Sequence, residues 1–384
     1  MSNAIDPMLA YHQATGHYPG ALVLIEADGR TLCRRESGRL HGHDEADATP
    51  LTSQARFRVA SLTKPMVSAV VMMQIERGKL RLDMPLAEVL PELADRRLAG
   101  GRAPVVQPSL LHLLTHTAGL PYAPEIRDPA VRRQALDAGL GDIASMTRSG
   151  FLGAIAGLPL QAEPGTRFQY GYSTDLLGLI LERVIGARLS DLMRSHLFEP
   201  LAMQASGFRA DPARHAAMPT AFAGDQAWHR FNGQFESVER ALAQRQGEPG
   251  GLGGPLESAG GGLISTLDDV AAFARLIANG GRIAGRALLS EDSVALMVQD
   301  HLGPDVDGPG GFIGGGWGFG LGGAVRLDVG AAAVPSAPGE FSWSGVTGQS
   351  LFIDPARRWF ALMLSANTAS RVMVRFEFRR AAAH

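Results

Sequence analysis

Segments that favour β-strands lie at the two ends of this chain, and segments that favour helices lie between them. Short apolar runs bounded by turn residues predict strands at residues 20–26, 31–36, 319–327, 341–343, 349–354 and 359–364. Helical spacing, ended by Gly or Pro, dominates most of the intervening chain. This order predicts an α+β fold, an α/β sandwich in which an antiparallel sheet made from both termini is flanked by helices and carries an inserted, mostly helical subdomain.

The chain length supports a division into two subdomains, since 384 residues exceed one average domain. We expect residues 1–75 and 200–384 to form a discontinuous sheet-containing subdomain and residues 76–199 to form a helical subdomain, with the active site between them. Residues 205–262 are predicted to be rich in loops, and residues 371–380 are predicted to form a closing helix.

Composition places the chain among globular proteins and argues against several partners. Hydrophobic residues make up 45% and charged residues 19%, and the formal net charge is -2 without a long basic or acidic run. Nothing in this balance favours a nucleic acid or a membrane surface. The single cysteine, Cys33, excludes an internal disulfide and a cysteine-based zinc cluster. The first sixteen residues lack a signal-peptide pattern and no apolar run is long enough to span a membrane, so we expect a cytoplasmic location.

Residues 57–66 (FRVASLTKPM) predict the start of a helix that carries reactive groups. Pro65 fits only in a first helical turn, so the helix begins near residue 62 or 63. Ser61 and Lys64 then share one face at the positive end of the helix, near backbone N–H groups without intrahelical partners. A serine nucleophile needs a neighbouring base and donors of this kind. Taken alone, the pattern also fits a solvated serine beside an unrelated surface lysine.

Three stretches form an ordered set of motifs: residues 58–65 (RVASLTKP), 164–172 (PGTRFQYGY) and 339–346 (GEFSWSGV). Together they resemble the serine hydrolases of β-lactamase fold, which include class C β-lactamases, DD-peptidases, D-aminopeptidases and family VIII carboxylesterases. Shorter matches at residues 113–120, 261–266 and 318–321 lie between the three motifs. The resemblance covers most of the chain.

The resemblance implies a role for each matching position. Ser61 is expected to be the acylated nucleophile, with Lys64 and Tyr170 as the two members of its base. The backbone N–H groups of Ser61 and Val346 are expected to form the oxyanion hole. The residues alone leave open which of Lys64 and Tyr170 is the resting base, because the titrations of two adjacent groups are coupled. They also leave open a purely structural tyrosine at position 170.

Two positions depart from the β-lactamase and DD-peptidase pattern. The second motif carries Tyr172 where those enzymes have Asn, and the third begins with Trp343 where they have Lys or His. Both changes remove groups that recognise an acylamino-carboxylate substrate, and a lost charge-assisted hydrogen bond costs about 1.5–3 kcal/mol. The pattern resembles the esterase branch, with Tyr172, Trp343, Ser344 and Gly345 as expected substrate-binding residues.

The resulting prediction is a serine carboxylesterase that hydrolyses short-chain esters through an acyl-serine intermediate, with a small-molecule ester as partner and neither metal nor cofactor. One alternative is a β-lactamase or a D-amino-acid peptidase or amidase of the same fold. A second alternative is a non-catalytic binding protein that retains the fold. The sequence does not specify the oligomeric state. No Gly-x-Ser-x-Gly motif occurs, which argues against an α/β-hydrolase.

Two further patterns could indicate ligand sites. His112 and His116 have the spacing of zinc ligands on a helix, but no third ligand is evident, so we interpret them as helix-end packing residues. The glycine-rich stretches at residues 250–254 and 258–262 lack the Gly-Lys-Ser/Thr of a phosphate loop. We interpret them as loop and site wall.

Overall fold

The computed structural model describes residues 2–42, 46–209, 217–244 and 254–383. Its strands are β1 (Gly20–Ala27), β2 (Arg30–Gly38), β3 (Phe57–Arg58), β4 (Ile264–Ser265), β5 (Arg282–Ile283), β6 (Arg286–Ala287), β7 (Trp317–Phe319), β8 (Ala324–Arg326), β9 (Phe341–Ser344), β10 (Ser350–Asp354) and β11 (Trp359–Ser365). The main sheet has seven strands in the order β2-β1-β11-β10-β9-β8-β7, and its neighbouring pairs are antiparallel. The predicted sheet made from both termini is therefore confirmed.

Helices flank this sheet and fill the middle of the chain. They are α1 (Ser2–Ala14), α2 (Thr63–Glu76), α3 (Leu110–Leu114), α4 (Pro129–Asp137), α5 (Arg148–Ala156), α6 (Ser173–Ile185), α7 (Leu189–Met193), α8 (Gln226–Gln244), α9 (Leu267–Ala278), α10 (Glu291–Met297), α11 (Gly310–Ile313) and α12 (Arg371–Ala382). Among the described residues, none of these helices combines the length and the apolar composition needed to cross a membrane.

Both faces of the main sheet are buried. Successive side chains of β1 point to opposite sides, so Val23 and Ile25 pack with α1 and α12, whereas Leu22 and Leu24 belong to the larger core on the other side. Helices α2, α6 and α9 contribute to that larger core. Residues 63–74 of α2 are all buried, as expected for a helix that is apolar on all sides. The N-terminus of α2 is thereby held rigidly inside the molecule.

Several predicted elements differ from the structure. The segment at 205–262, predicted to be loop-rich, contains the 19-residue helix α8. The single strand predicted at 319–327 is a hairpin, β7 and β8, because a turn through Gly322, at a φ of +95°, reverses the chain. Apolar spacing also predicts helices at residues 86–93 and 107–116. Residues 86–93 instead form two short 3₁₀ turns, and the helix within 107–116 is limited to α3.

Two predictions lie partly or wholly outside these observations. Residues 250–253 of the predicted glycine-rich loop are not among the described residues. The division into residues 1–75 with 200–384 and residues 76–199 stays a prediction, although the described strands all fall in the first two ranges.

Candidate active site

Ser61 lies in a 3₁₀ turn, residues 60–62, which leads directly into α2. The preceding Ala60 has a φ of +46°, a left-handed conformation that is costly for a residue with a Cβ atom. Thr63 holds this turn, because its hydroxyl donates to the Ala60 carbonyl at 2.6 Å and accepts the Leu263 N–H at 3.2 Å. The strained turn presents a partly exposed Ser61 side chain at the helix N-terminus, as the sequence predicts.

Lys64 is fully buried, with no exposed surface. Its ammonium donates to the Gly260 carbonyl at 2.6 Å and to the Tyr122 hydroxyl at 3.1 Å, and it lies 3.4 Å from the Ser61 Oγ. No carboxylate of the described residues forms an ion pair with it. The ammonium is therefore held by neutral oxygens, one of which is the candidate nucleophile.

The Tyr170 hydroxyl lies 2.7 Å from the Ser61 Oγ, within an ordinary O–H···O hydrogen bond. The Lys64 ammonium lies 4.6 Å from the centre of the Tyr170 ring. The indole N–H of Trp343 also points to the Tyr170 oxygen, at 3.4 Å. The structure therefore brings Ser61, Lys64 and Tyr170 together, although they are separated by as many as 109 positions in the sequence.

His116 supports the backbone on both sides of Tyr170. Its carbonyl accepts the Gln169 N–H at 2.7 Å, and its Nδ1 accepts the Gly171 N–H at 3.4 Å. The buried imidazole lies against the Tyr170 ring, with 4.8 Å between ring centres. Burial, and secondarily the charge of Lys64, hold the pKa of His116 well below its usual value, so the ring is neutral.

His112, the other histidine of the predicted pair, lies at the start of α3. Its Nδ1 accepts the Ser109 N–H at 3.1 Å. Burial lowers the pKa of this ring as well. In the described part of the chain no three His, Cys, Asp or Glu side chains are grouped so that they could hold a metal ion. The two histidines thus contact the backbone rather than each other.

The segment after β9 approaches the Ser61 turn closely. A Cβ atom on Gly345 would lie 2.2 Å from the Gln349 side chain and 2.8 Å from the Val59 carbonyl, so only glycine fits there. The Thr347 hydroxyl donates to the Arg58 carbonyl at 3.0 Å and ties the two segments together. Among the described residues, no backbone acceptor is bonded to the N–H of Ser61 or of Val346. Two unused N–H donors beside a nucleophile are the requirement for an oxyanion hole.

Aromatic rings form the walls around the Ser61 hydroxyl. Trp343 is almost buried, with 5.3 Å between its ring centre and that of Tyr170. Phe312 on α11 lies 4.9 Å from the Tyr170 ring at an interplanar angle of 31°, yet 55% of its surface is exposed. One side of Phe312 therefore faces the catalytic tyrosine candidate while the other forms part of the rim.

The Tyr172 side chain lies deeper in the protein than the sequence analysis predicted. Its side chain is 2% exposed, and its hydroxyl donates to the Leu140 carbonyl at 2.6 Å and accepts the Ala123 N–H at 2.9 Å. Burial raises its pKa. This placement argues against the predicted contact between Tyr172 and a substrate. Ser344 is half-buried at the end of β9, next to Gly345.

Tyr122 and Phe312 are site residues that the sequence analysis missed. Tyr122 precedes a short 3₁₀ turn and is brought in by the 3.2 Å hydrogen bond from its N–H to the Tyr170 carbonyl. Burial, followed by the proximity of Tyr170, raises the pKa of Tyr122 well above its usual value, so it stays a neutral partner of Lys64. Its closeness to the match at residues 113–120 was the available signal.

Taken together, the geometry can support acyl transfer. A hydroxyl lies within hydrogen-bond reach of a phenol and close to an ammonium, and the N–H groups of Ser61 and Val346 have no backbone acceptor among the described residues. These are the parts of nucleophilic catalysis: a nucleophile, a base and a site for the developing oxyanion.

Comparisons with known proteins show the family of the chain. The chain matches the family described as Beta-lactamase over residues 3–384. It is 32% identical over 366 residues to esterase EstB of Burkholderia gladioli, a match that covers 91% of this chain and 86% of EstB.

Solved structures of similar fold cover the whole chain. EstCE1, described as a hydrolase with promiscuous acyltransferase activity, superposes with a TM-score of 0.80 at 27% identity, covering 100% of this chain and 98% of EstCE1. Simvastatin synthase (LovD) from Aspergillus terreus superposes with a TM-score of 0.76 at 21% identity, covering 99% and 97% of the two chains. At that identity the second likeness supports the fold alone.

Proposed function

This chain belongs to the beta-lactamase family and is a serine hydrolase, and from that premise we propose that it is a carboxylesterase. Its substrates are short-chain esters, and the reaction passes through an acyl-Ser61 intermediate. The observation that carries the proposal is the 2.7 Å approach of the Tyr170 hydroxyl to Ser61, with Lys64 3.4 Å from the same oxygen. The relationship to esterase EstB supports the choice of ester over amide.

In the proposed acylation step, the groups around Ser61 have separate roles. As the Ser61 Oγ bonds to the ester carbonyl carbon, its proton passes to the Tyr170–Lys64 pair. The negatively charged carbonyl oxygen accepts hydrogen bonds from the N–H groups of Ser61 and Val346. The bond to the alcohol oxygen then breaks, and the pair returns the proton to the departing alcohol. In deacylation, water attacks the acyl carbon and gives a proton to the pair. The bond to the Ser61 Oγ then breaks, the pair returns the proton to that oxygen, and the acid is released.

The apolar walls support an ester without a charged acyl substituent. Trp343 stands where a β-lactamase carries a cation, and it is almost buried beside Tyr170. An indole offers no charge to a substrate carboxylate, so a carboxylate should bring little benefit. Strong preference for carboxylate-bearing substrates would contradict this part of the proposal.

Turnover of p-nitrophenyl butyrate tests the proposal directly. Wild-type protein should hydrolyse this ester, and Ser61→Ala should lose the activity because the acyl acceptor is gone. Ser149→Ala, which removes an exposed hydroxyl on α5, is the matched control and should behave as wild type. Activity retained in Ser61→Ala would refute the proposal.

Two assays separate the alternatives. A chromogenic cephalosporin and a D-alanyl p-nitroanilide report β-lactamase and peptidase activity, and faster turnover of either than of the ester would favour the same-fold alternative. A fluorescent phosphonate ester should label wild type but not Ser61→Ala. Absence of labelling in the wild type would favour a non-catalytic binding protein.

Acyl transfer to a small alcohol is a second candidate activity. It is favoured by the aromatic rim of Trp343, Tyr170 and Phe312, which provides an apolar surface for an alcohol beside the acylated serine. EstCE1, at 27% identity, is described as having such an activity. Adding benzyl alcohol to vinyl butyrate and measuring the ratio of benzyl butyrate to butyric acid tests it. Formation of acid alone would exclude this activity.

A cytoplasmic location is also proposed. It is supported by the presence of only one cysteine, Cys33, which is buried and free. Cell fractionation of the native producer with an antibody against this chain would test it. Recovery in an extracellular or envelope fraction would contradict it.

A further inference from the structure

A buried carboxylate close to the candidate site has no role in the mechanism given above. Asp175 lies in the first turn of α6 and is 1% exposed. Its Oδ1 accepts the Ser258 hydroxyl at 2.8 Å and the Gly260 N–H at 2.9 Å. Its Oδ2 is buried and has no hydrogen-bond partner among the residues that the structure describes. An incompletely satisfied buried carboxylate is costly, so its presence calls for an explanation.

Gly260 connects this carboxylate to Lys64. The N–H of Gly260 donates to Asp175, and the carbonyl of the same residue accepts the Lys64 ammonium at 2.6 Å. A Cβ atom on Gly260 would lie 2.5 Å from the Asp175 Oδ2, so only glycine allows this close approach. The anion and the cation thus lie on either side of a single residue.

We propose that Asp175 is a positioning residue that acts through Gly260 and through its charge to hold Lys64 as the cation beside Tyr170. The inference rests on the proposed function, because it assigns Asp175 a part in the ionisation of the Tyr170–Lys64 pair. Asp175 itself touches neither the substrate nor Ser61 among the described contacts.

The surroundings offset part of the cost of burying the carboxylate. Burial raises the pKa of Asp175 above its usual value, and the charge of Lys64, the Gly260 N–H and the Ser258 hydroxyl limit the rise. Its position in the first turn of α6 adds the positive end of the helix dipole. Lys64 and Asp175 therefore stabilise each other without forming a direct ion pair.

The charged and titratable groups that face Lys64 come from several segments. They are Ser61 from its own turn, Tyr122 and Tyr170 from the loops beside it, the neutral His116, and Asp175 from α6. Asp175 is the one carboxylate of this group. Removing its charge favours loss of the first proton from the Tyr170–Lys64 pair, whichever member holds that proton. The acid limb of the pH–rate profile should therefore move to lower pH.

The test compares Asp175→Asn with Ser258→Ala. Asn keeps an oxygen that can accept the Ser258 and Gly260 donors but removes the charge, whereas Ser258→Ala removes one hydrogen bond and keeps the charge. We expect the midpoint of the acid limb of kcat/KM for p-nitrophenyl butyrate to fall by about one pH unit in Asp175→Asn. In Ser258→Ala the midpoint should stay at the wild-type value.

The outcomes separate positioning by charge from simple tethering. A fall of at least about half a pH unit in Asp175→Asn alone supports the proposal. A smaller fall, a rise, or an equal fall in Ser258→Ala overturns it. If Asp175→Asn does not fold, as judged by its circular dichroism, Asp175→Ser is measured with the same criterion.

The proposed function can fail separately from this inference. If wild type does not hydrolyse the ester, the esterase proposal fails, and the midpoint is then taken from the pH dependence of phosphonate labelling of Ser61. If wild type is active and the two variants share its profile, only the role of Asp175 is refuted.

Discussion

Two buried cations in this molecule are held in opposite ways. Arg148 forms two hydrogen bonds with the Glu182 carboxylate, at 2.6 and 2.8 Å, and its side chain is 5% exposed. Lys64 is equally buried but is held by the Gly260 carbonyl, the Tyr122 hydroxyl and the Ser61 hydroxyl. The contrast separates a cation that is paired with a carboxylate from one whose partners are uncharged oxygens, including that of the candidate nucleophile.

The pKa of Arg148 reflects its pairing. Burial alone would lower it, but the hydrogen bonds and charge of Glu182 outweigh burial and raise it. A guanidinium is in any case hard to deprotonate, and a bidentate carboxylate fixes its geometry. The lysine at position 64 offers one small ammonium that contacts a nucleophile. The choice of cation at each position therefore matches its expected task.

The largest expected effect is on catalysis at Lys64. Lys64→Met should lower kcat for p-nitrophenyl butyrate by about 10³- to 10⁴-fold, because the base pair loses one member. Its free energy of unfolding should fall by less than that of Arg148→Met, because Asp175 loses a nearby charge but no direct ion pair is broken. Urea denaturation of the same preparation checks the second part. A kcat within tenfold of wild type would contradict the role of Lys64.

The opposite result is expected at Arg148. Arg148→Met leaves Glu182 buried without its partner and should lower the free energy of unfolding by about 3–5 kcal/mol. The folded fraction should keep a kcat close to that of wild type, because Arg148 contacts none of Ser61, Lys64 and Tyr170 among the described residues. The double variant Arg148→Met with Glu182→Gln should recover part of the stability. A large loss of kcat in Arg148→Met without a loss of stability would contradict this contrast between Arg148 and Lys64.

Two neighbouring tyrosines test the same distinction between catalytic and structural roles, with smaller expected effects. The rings of Tyr122 and Tyr172 lie 4.8 Å apart, but only the Tyr122 hydroxyl contacts Lys64. Tyr122→Phe should lower kcat by about tenfold, the equivalent of one hydrogen bond to a charged group. Tyr172→Phe should instead lower the free energy of unfolding by about 1–3 kcal/mol, because the Leu140 carbonyl and the Ala123 N–H lose their partner. Equal effects of the two variants on kcat would contradict this assignment.

The smallest expected effect concerns the rim. Phe312→Ala should raise KM for p-nitrophenyl butyrate by about fivefold and leave kcat nearly unchanged, because an apolar contact to the aryl group is lost. Phe376→Ala on α12, which removes a ring that is 40% exposed, is the control and should leave KM unchanged. An unchanged KM in Phe312→Ala would exclude Phe312 from the substrate site.

The sequence predicted the parts of the molecule that have a local signature. The helix that follows Ser61 begins within a residue of its expected position because Pro65 restricts where a helix can start. The sheet followed from apolar runs at both ends of the chain. The missed helix α8 has Phe231 and Phe235 four residues apart, with 5.2 Å between ring centres, but its polar composition and Gly233 hid the period.

What the sequence could not give is contact between distant segments. Tyr122 precedes a short 3₁₀ turn and Phe312 lies on the short helix α11, and the positions of both elements depend on the tertiary fold. Phe312 also lies within a glycine-rich stretch that lacks periodicity. The motif predicted that Tyr172 contacts the substrate. Ala123 and Leu140, which lie 49 and 32 residues before it in the sequence, bind its hydroxyl instead and turn it away from the site. Which side of the backbone faces the substrate depends on such contacts.

A double-mutant cycle on kcat/KM tests the central claim, that Lys64 and Tyr170 act as one unit on Ser61. It compares wild type, Lys64→Met, Tyr170→Phe and the double variant, each shown to be folded. The account predicts that the double variant is no slower than the slower single variant, because either substitution already disables the pair. Losses that multiply in the double variant would show two independent contributions and would contradict the account.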